Sequence, residues 1–205
     1  MKNIKRVKNG FLGTNTYLVG DENGCYVIDP SDDTKLICQK IAESFNNKVI
    51  AILLTHGHFD HVGSVDYIAD HFKCPIYMND NDIMHIDGSL KYYPSQLQEF
   101  HTVLKNPTID TYKIPDKNVI VYETPGHTEG SVCFLFKEEK ALFTGDTLFS
   151  MGVGRVDLPG GSGRNLQSSL KLLKTLNDDL VIYPGHEGSS TLEKEKKNNP
   201  YLKQI

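Results

Sequence analysis

Thr55-His56-Gly57-His58-Phe59-Asp60-His61 sets three imidazoles and a carboxylate within six residues. Imidazole nitrogen and carboxylate oxygen are donors that Zn²⁺ and non-haem iron accept. A short loop containing Gly57 can aim alternate side chains at different points, so His56 and His58 can serve one ion while Asp60 and His61 serve its neighbour. Immediately before the loop runs Val49-Ile50-Ala51-Ile52-Leu53-Leu54, an uncharged apolar segment of strand length. The same pattern of an apolar strand ending in a potential ligand recurs three times. Val119 to Tyr122 leads to Thr124-Pro125-Gly126-His127, Ala141 to Phe143 leads to Gly145-Asp146, and Leu180 to Tyr183 leads to Pro184-Gly185-His186. Strand termini along one edge of a packed sheet can converge, so the separation from residue 56 to residue 186 does not prevent one shared site. Incidental histidines on a polar loop would not recur in this way.

Working outward, Thr16 to Val19 and Cys25 to Ile28 are β-prone runs joined by Gly20-Asp21-Glu22-Asn23-Gly24, a hairpin connection. Asp32 or Asp33 can cap a helix over Thr34 to Phe45, where Leu36, Ile37, Ile41 and Phe45 fall at helical spacing and Asn46-Asn47 stops it. Val62 to Phe72 also has helical periodicity, Cys74 to Met78 reads as a short strand, and Asp80 to Ile86 as a short helix. From Asn79 to Lys117 the period is lost, and a surface excursion or lid is expected; Tyr92-Tyr93-Pro94 within it either lines a substrate mouth or covers core. Val119 to Tyr122, Val132 to Phe136 and Ala141 to Phe143 restore the β pattern. Leu166, Leu170, Leu173 and Leu176 stripe a further helix, and Leu180 to Tyr183 is a final strand. In the charged tail, Glu193 to Lys197 is expected to be a solvated helical face. Strands alternate with helices, which is α/β organisation, and no 20- to 50-residue period suggests a solenoid.

The 205 residues are read as one domain, 1–205, and 39% hydrophobic with 23% charged residues is globular composition. A net charge of −4 repels polyanions and no basic stripe offsets it, so no nucleic-acid partner is expected. No run approaches the roughly 18 apolar residues that span a bilayer, so no membrane association is expected. The charged start Met1 to Lys8 is followed by no apolar segment, so the cytoplasm is the expected compartment. Cys25, Cys38, Cys74 and Cys133 form no C-x-x-C pair and are read as reduced core thiols. His71, His85 and His101 stand outside the ligand pattern and are read as exposed or packing residues. Gly160-Gly161-Ser162-Gly163 could bind an anion on backbone N–H groups or simply connect, since no phosphate-loop lysine accompanies it.

With these residues in view, the chain resembles the metallo-β-lactamase fold superfamily, whose His-x-His-x-Asp-His signature stands intact at His56 to His61. The resemblance covers essentially the whole chain and implies an αββα sandwich with a dinuclear site at one edge of two packed sheets. It assigns His56, His58 and His127 to one metal, Asp60, His61 and His186 to a second, and Asp146 to the bridge between them. Two divalent ions are implied, Zn²⁺ first, with Fe or Mn as alternatives. Many secreted zinc β-lactamases carry cysteine where this chain has Asp146, whereas the glyoxalase II-like hydrolases carry aspartate. Gly154-Arg155-Val156-Asp157-Leu158-Pro159-Gly160-Gly161 is similar to a run in compact bacterial glyoxalase II-like proteins.

The implied activity is that of a thioesterase of glyoxalase II type, cleaving a small-molecule 2-hydroxyacyl thioester by a metal-bridging hydroxide. Asp60 would also orient the hydroxide proton, and Arg155 would contact an anionic substrate group, with a salt bridge to Asp157 as its structural alternative. The C-terminal helical extension with basic residues found in the longer glutathione-using enzymes is not matched, and Asp157 replaces a tyrosine of those enzymes, so another thiol carrier is open. The nucleic-acid branches carry a large inserted cap or a tRNA-binding arm, and Asp80 to Lys117 is too poor in basic residues for the latter. The alternative activity on the same fold is a mononuclear-iron persulfide dioxygenase using His56, His127 and Asp146. A noncatalytic module would show eroded ligands, and none is eroded.

Overall fold

Among the described residues, two five-stranded sheets follow from the hairpin and the strand–helix alternation above. The computed structural model describes residues 2–82 and 114–205; Tyr92-Tyr93-Pro94, His85, His101, most of the expected lid and the expected helix beyond residue 82 lie outside the described residues. The turn after Asp21 folds β2 (Thr14–Asp21) back onto β3 (Gly24–Ile28), with Asp21 opposite Gly24. Asp33 accepts a hydrogen bond from the Leu36 N–H and starts α1 (Thr34–Ser44), which carries the chain over to β4 (Val49–Leu53), parallel to β3. The expected single helix over Val62 to Phe72 is two: α2 (Phe59–Val62) and α3 (Val65–Phe72). They part at Gly63-Ser64, where Gly63 lies against Asp32 with no room for a Cβ and Ser64 N–H reaches Pro30 O at 2.9 Å. β5 (Ile76–Tyr77) then completes the sheet beside β4.

β1 (Asn3–Asn9), which the sequence pattern does not announce, pairs with β2 along one edge. Only Val7 of its apolar residues is buried, and Lys5 and Lys8 are exposed, as suits an edge strand guarded by charge. The second sheet runs β10-β9-β8-β7-β6, from β6 (Val119–Glu123), β7 (Val132–Phe136), β8 (Ala141–Gly145), β9 (Val181–Pro184) and β10 (Ser190–Thr191). α4 (Gly163–Lys174), capped by Ser162, crosses from β8 to the parallel β9. α5 (Leu192–Asn198) and α6 (Pro200–Lys203) follow β10.

Between the sheets, Tyr17, Val19, Ile28 and Leu53 of the first meet Val132, Phe134, Phe136 and Phe143 of the second, with the Tyr17 and Phe143 rings edge to face at 5.2 Å. α1 and α3 cover the other face of the first sheet through Ile37, Ile41 and Ile68. α4 to α6 cover the second through Leu166, Leu173, Leu192 and Leu202. The result is the expected α/β fold, an αββα sandwich. Each fully buried leucine, isoleucine or phenylalanine adds roughly 1.5–3 kcal/mol to what holds the layers together.

Strand direction positions the site. β3 and β4 are parallel; β6 and β8 both run antiparallel to β7, and β9 is parallel to β8. The chain therefore leaves these strands at one rim, where Asn15 N–H bonds Gly185 O at 2.7 Å and Tyr17 hydroxyl bonds Pro184 O at 2.8 Å, closing one sheet onto the other. Among the described residues no helix is long and apolar enough to cross a membrane. All four cysteines are free, with Cys25 and Cys133 buried.

Candidate metal centre

At this rim, residues far apart in the chain meet. His56, His58 and His127 offer ligand atoms within 4.8 Å of one another, and so do Asp60, His61 and His186. Asp146 stands between the groups: its Oδ2 lies 3.6 Å from His127 Nε2 and 3.4 Å from His186 Nε2, and its Oδ1 lies 3.4 Å from His61 Nε2. Gly185 permits the approach, since a Cβ there would collide with Asp146 and His61.

The hydrogen bonds behind the histidines fix which nitrogen faces inward. Asp29 Oδ2 lies 2.9 Å from His61 Nδ1 and also accepts from Thr55 Oγ1 at 2.6 Å. A carboxylate only accepts, so His61 Nδ1 carries a proton and Nε2 turns to the site. With its own proton committed to Asp29, Thr55 Oγ1 accepts from His56 Nδ1 at 3.1 Å, which turns His56 Nε2 inward. His127 Nδ1 donates to Arg155 O at 2.7 Å, leaving Nε2 against His58 Nδ1 at 2.8 Å. Asp29 also accepts from Thr55 N–H at 2.8 Å. Both its oxygens are thereby engaged by protein donors, although Asp29, His56 and His61 also lie close enough to form a ligand triad.

Three inward atoms, His56 Nε2, His61 Nε2 and Asp146 Oδ1, are buried without a hydrogen-bond partner among the described residues. Orphaned buried polar atoms are costly in a folded protein, and a cation in place of any proton on them removes the cost for all three. The donor set, nitrogen and oxygen in two adjacent groups, fits two divalent ions.

Charge divides the two groups. Burial holds His56 well below the ordinary imidazole range, helped by neighbouring His61 and His58, and burial with His127 brings His58 down to about 3. These rings are neutral, as ligands must be. Burial would raise the Asp60 carboxyl, but His61 and His186 outweigh it and hold it at about 2. Burial likewise opposes charge on His61 and His186, yet Asp60 and Asp146 raise both, His186 to about 9. Thr14 Oγ1 donates to Asp60 Oδ2 at 2.7 Å, bringing the start of β2 into the site.

The centre opens into a cleft of about 410 Å³ lined by Leu12, His58, Asp60, His127, Asp146, Phe149, Gly154, Arg155 and His186. Arg155 lines this cleft, and it also makes the alternative salt bridge: Nε and Nη2 each donate to Asp157 at 2.7 Å.

Three buried residues in this arrangement have no counterpart in the sequence reading. Asp29 follows the apolar strand β3, so the strand-then-ligand rule applied to Cys25–Ile28 would have found it. Thr14 has no such signal. Asp82 sits in a 3-10 turn (Asp80–Asp82), fully buried, and accepts from Gly57 N–H at 2.8 Å, Thr128 Oγ1 at 2.6 Å and Gly130 N–H at 2.5 Å. It ties the loop of His56 and His58 to that of His127.

The chain is similar to known proteins in sequence and in fold. The Metallo-beta-lactamase superfamily profile matches residues 9–186. Hydroxyacylglutathione hydrolase GloC of Haemophilus influenzae is 37% identical over 198 residues, covering 89% of each chain. Among solved structures, the BLEG-1 B3 metallo-beta-lactamase superposes with a TM-score of 0.87 at 29% identity, over 98% of this chain and 99% of that one. TTHA1623, solved in a di-iron-bound form, superposes with a TM-score of 0.80 at 32% identity, over 97% of this chain and all of that one.

Proposed function

The chain belongs to the metallo-beta-lactamase superfamily and is a metallo-hydrolase, and from that premise we propose that it is a dinuclear thioesterase of glyoxalase II type acting on small-molecule 2-hydroxyacyl thioesters. The observation that carries this reading is the lining of the cleft. Among the described residues it presents ligands, an arginine and apolar walls, but no serine, cysteine or lysine to act as nucleophile. With the carboxylates and imidazoles engaged as candidate ligands, water is the nucleophile of this reading, and a carbonyl with a good leaving group suits that chemistry; an unstrained amide does not. The name of the GloC relative supports the same substrate class.

In this reading His56, His58 and His127 would hold one ion and Asp60, His61 and His186 the other, with Asp146, placed between the two groups, shared by both. Two divalent ions, Zn²⁺ foremost with Fe or Mn as alternatives, would bring the pKa of a water from about 15.7 to about 7 and polarise the thioester carbonyl. Asp60, anchored by Thr14, orients the proton of the attacking water. Asp29 and Thr55 keep the His61 and His56 Nε2 atoms aimed inward. Arg155, its plane set by Asp157, receives an anionic group of the substrate. A thiolate leaves without a strong general acid, and none is needed among the lining residues. Residues 1–205 act as one domain in the cytoplasm, with no nucleic acid or membrane as partner.

The test is a panel of S-lactoyl and related thioesters of glutathione, coenzyme A and other thiols, run beside β-lactams and an oxygen electrode with glutathione persulfide. Metal-replete protein, at two equivalents per chain, is expected to hydrolyse thioesters, leave β-lactams nearly untouched and consume no O₂. Inactivity on every thioester with stoichiometric O₂ uptake would move the assignment to the persulfide dioxygenase that uses His56, His127 and Asp146. A preference for β-lactams would move it toward the BLEG-1 activity.

A further inference from the structure

The helices after β9 carry a buried carboxylate that the proposed chemistry does not use. Glu195 lies in the Glu193 to Lys197 run expected to face solvent, and here the structure corrects the sequence reading: its side chain is fully buried. A carboxylate withdrawn from water is costly unless donors surround it. Ser190 Oγ donates to Oε1 at 2.5 Å, and Met151 N–H and Asn199 Nδ2 donate to Oε2 at 2.7 and 3.0 Å. The Asn199 amide also reaches Gly152 O at 3.1 Å and Phe149 O at 3.3 Å.

Four of these five contacts converge on the turn Phe149–Gly152 or on the pair that holds it. The turn is closed by Phe149 N–H to Gly152 O at 3.0 Å, but its Met151 has a φ of 64°, a left-handed conformation that side chains disfavour, and its side chain is exposed. Glu195 and Asn199 brace it from outside, through Met151 N–H and the Phe149 and Gly152 carbonyls. What the turn delivers is the Phe149 ring, a wall of the cleft whose centroid lies 6.0 Å from that of His186 with the rings perpendicular.

We propose that Glu195 and Asn199 are positioning residues which, through the Phe149–Gly152 turn, fix Phe149 as the apolar wall against which the non-reacting part of the substrate packs. The helices after His186 thereby govern substrate selectivity. The identity of that substrate as a thioester rests on the function proposed above; the clamp itself does not.

The chain has no tryptophan, so Phe149→Trp places a single indole in the cleft wall. In that background Glu195→Ala and Asn199→Ser are each expected to raise acrylamide quenching about twofold as the wall loosens. Glu195→Gln, whose amide can turn to Ser190 while its oxygen still accepts from Met151 and Asn199, restores the parent value. Asn199→Ser keeps an oxygen to cap α6 and carries the test if Glu195→Ala does not fold. In chains retaining Phe149, the same two variants are expected to raise KM for an apolar acyl thioester roughly three- to tenfold, with metal content and kcat nearly unchanged. Phe149→Ala should reproduce that rise, and adding Glu195→Ala to it should change nothing further. Unchanged quenching in the variants that fold overturns the clamp. Raised quenching with unchanged KM overturns the role in selectivity. A parent chain inert toward every thioester, with quenching still raised, refutes the thioesterase reading and supports the clamp.

Discussion

Asp29→Asn exchanges one carboxylate oxygen for an amide at a point where three donors arrive: Thr55 N–H, Thr55 Oγ1–H and His61 Nδ1–H. The remaining oxygen can keep Thr55 N–H, which puts the new NH₂ group opposite the other two. Thr55 tolerates the change, because its oxygen can accept from the amide as well as from His56 Nδ1, 3.1 Å away, while its own proton gives up Asp29. His61 cannot adapt without changing tautomer. Nδ1 must then accept, and the proton moves to Nε2, the atom that lies 3.5 Å from Asp60 Oδ2 and 3.4 Å from Asp146 Oδ1 and that should hold a metal. Loss of such an outer partner typically costs about 10- to 100-fold in metal affinity. Competition with a chromophoric chelator should show that loss at one of two sites, with the site of His58 and His127 less affected. The strained hydrogen bonds should also cost roughly 1–2 kcal/mol of metal-free stability, seen as a fall in Tm of about 2–8 °C for a chain of this size. Unchanged affinity at both sites would refute the assignment of Asp29 as the residue that orients His61.

Asp146→Ala is expected to be the most damaging single change at the centre, lowering bound metal below two equivalents by elemental analysis and turnover by about 10³-fold or more; both metals retained with near-normal turnover would remove the bridge. If Arg155 receives an anionic group, Arg155→Gln should raise KM for anionic thioesters with little change in kcat. Its partner Asp157, held at about 2 by the bonds from Arg155, stays ionised down to acid pH, so that KM should vary little between pH 5 and 8 on this account; loss of stability with unchanged KM would assign Arg155 to the salt bridge alone. Burial pushes the Cys25 and Cys133 thiols up to about 12 and Cys74 to about 11. These three should therefore resist a thiol reagent at pH 8 until the chain is unfolded; rapid native labelling at Cys25 or Cys133 would contradict their packing.

Most of the candidate ligand set was legible because it is written locally. His56 to His61 are contiguous, and His127, Asp146 and His186 each follow an apolar strand within a few residues, so recognising them needed only the strand and its end. Strand polarity did the rest, since β4, β6, β8 and β9 leave the sheets at one rim. β1 was not legible, because an edge strand with Lys5, Arg6 and Lys8 has too few apolar residues to alternate. The break at Gly63-Ser64 was hidden for a different reason: the apolar period continues through it, and only the approach of Asp32 forces the turn.

The buried carboxylates outside the ligand set were the hardest to foresee, and the cause is physical. Asp82 is defined by donors 25, 46 and 48 residues away, and Glu195 by Met151, 44 residues away. An aspartate or glutamate in a charged stretch has the same local signature whether it faces water or a ring of N–H groups. What separates the cases is whether the fold delivers enough donors to repay desolvation, and that is a property of the assembled rim. Asp29 sets the inward nitrogens, Asp82 joins the two histidine loops, and Glu195 holds the turn behind Phe149. Each is an acceptor placed where backbone or hydroxyl donors would otherwise be unpaired. The ligands can therefore be carried by short motifs, while the aim of those ligands depends on contacts that no short motif contains.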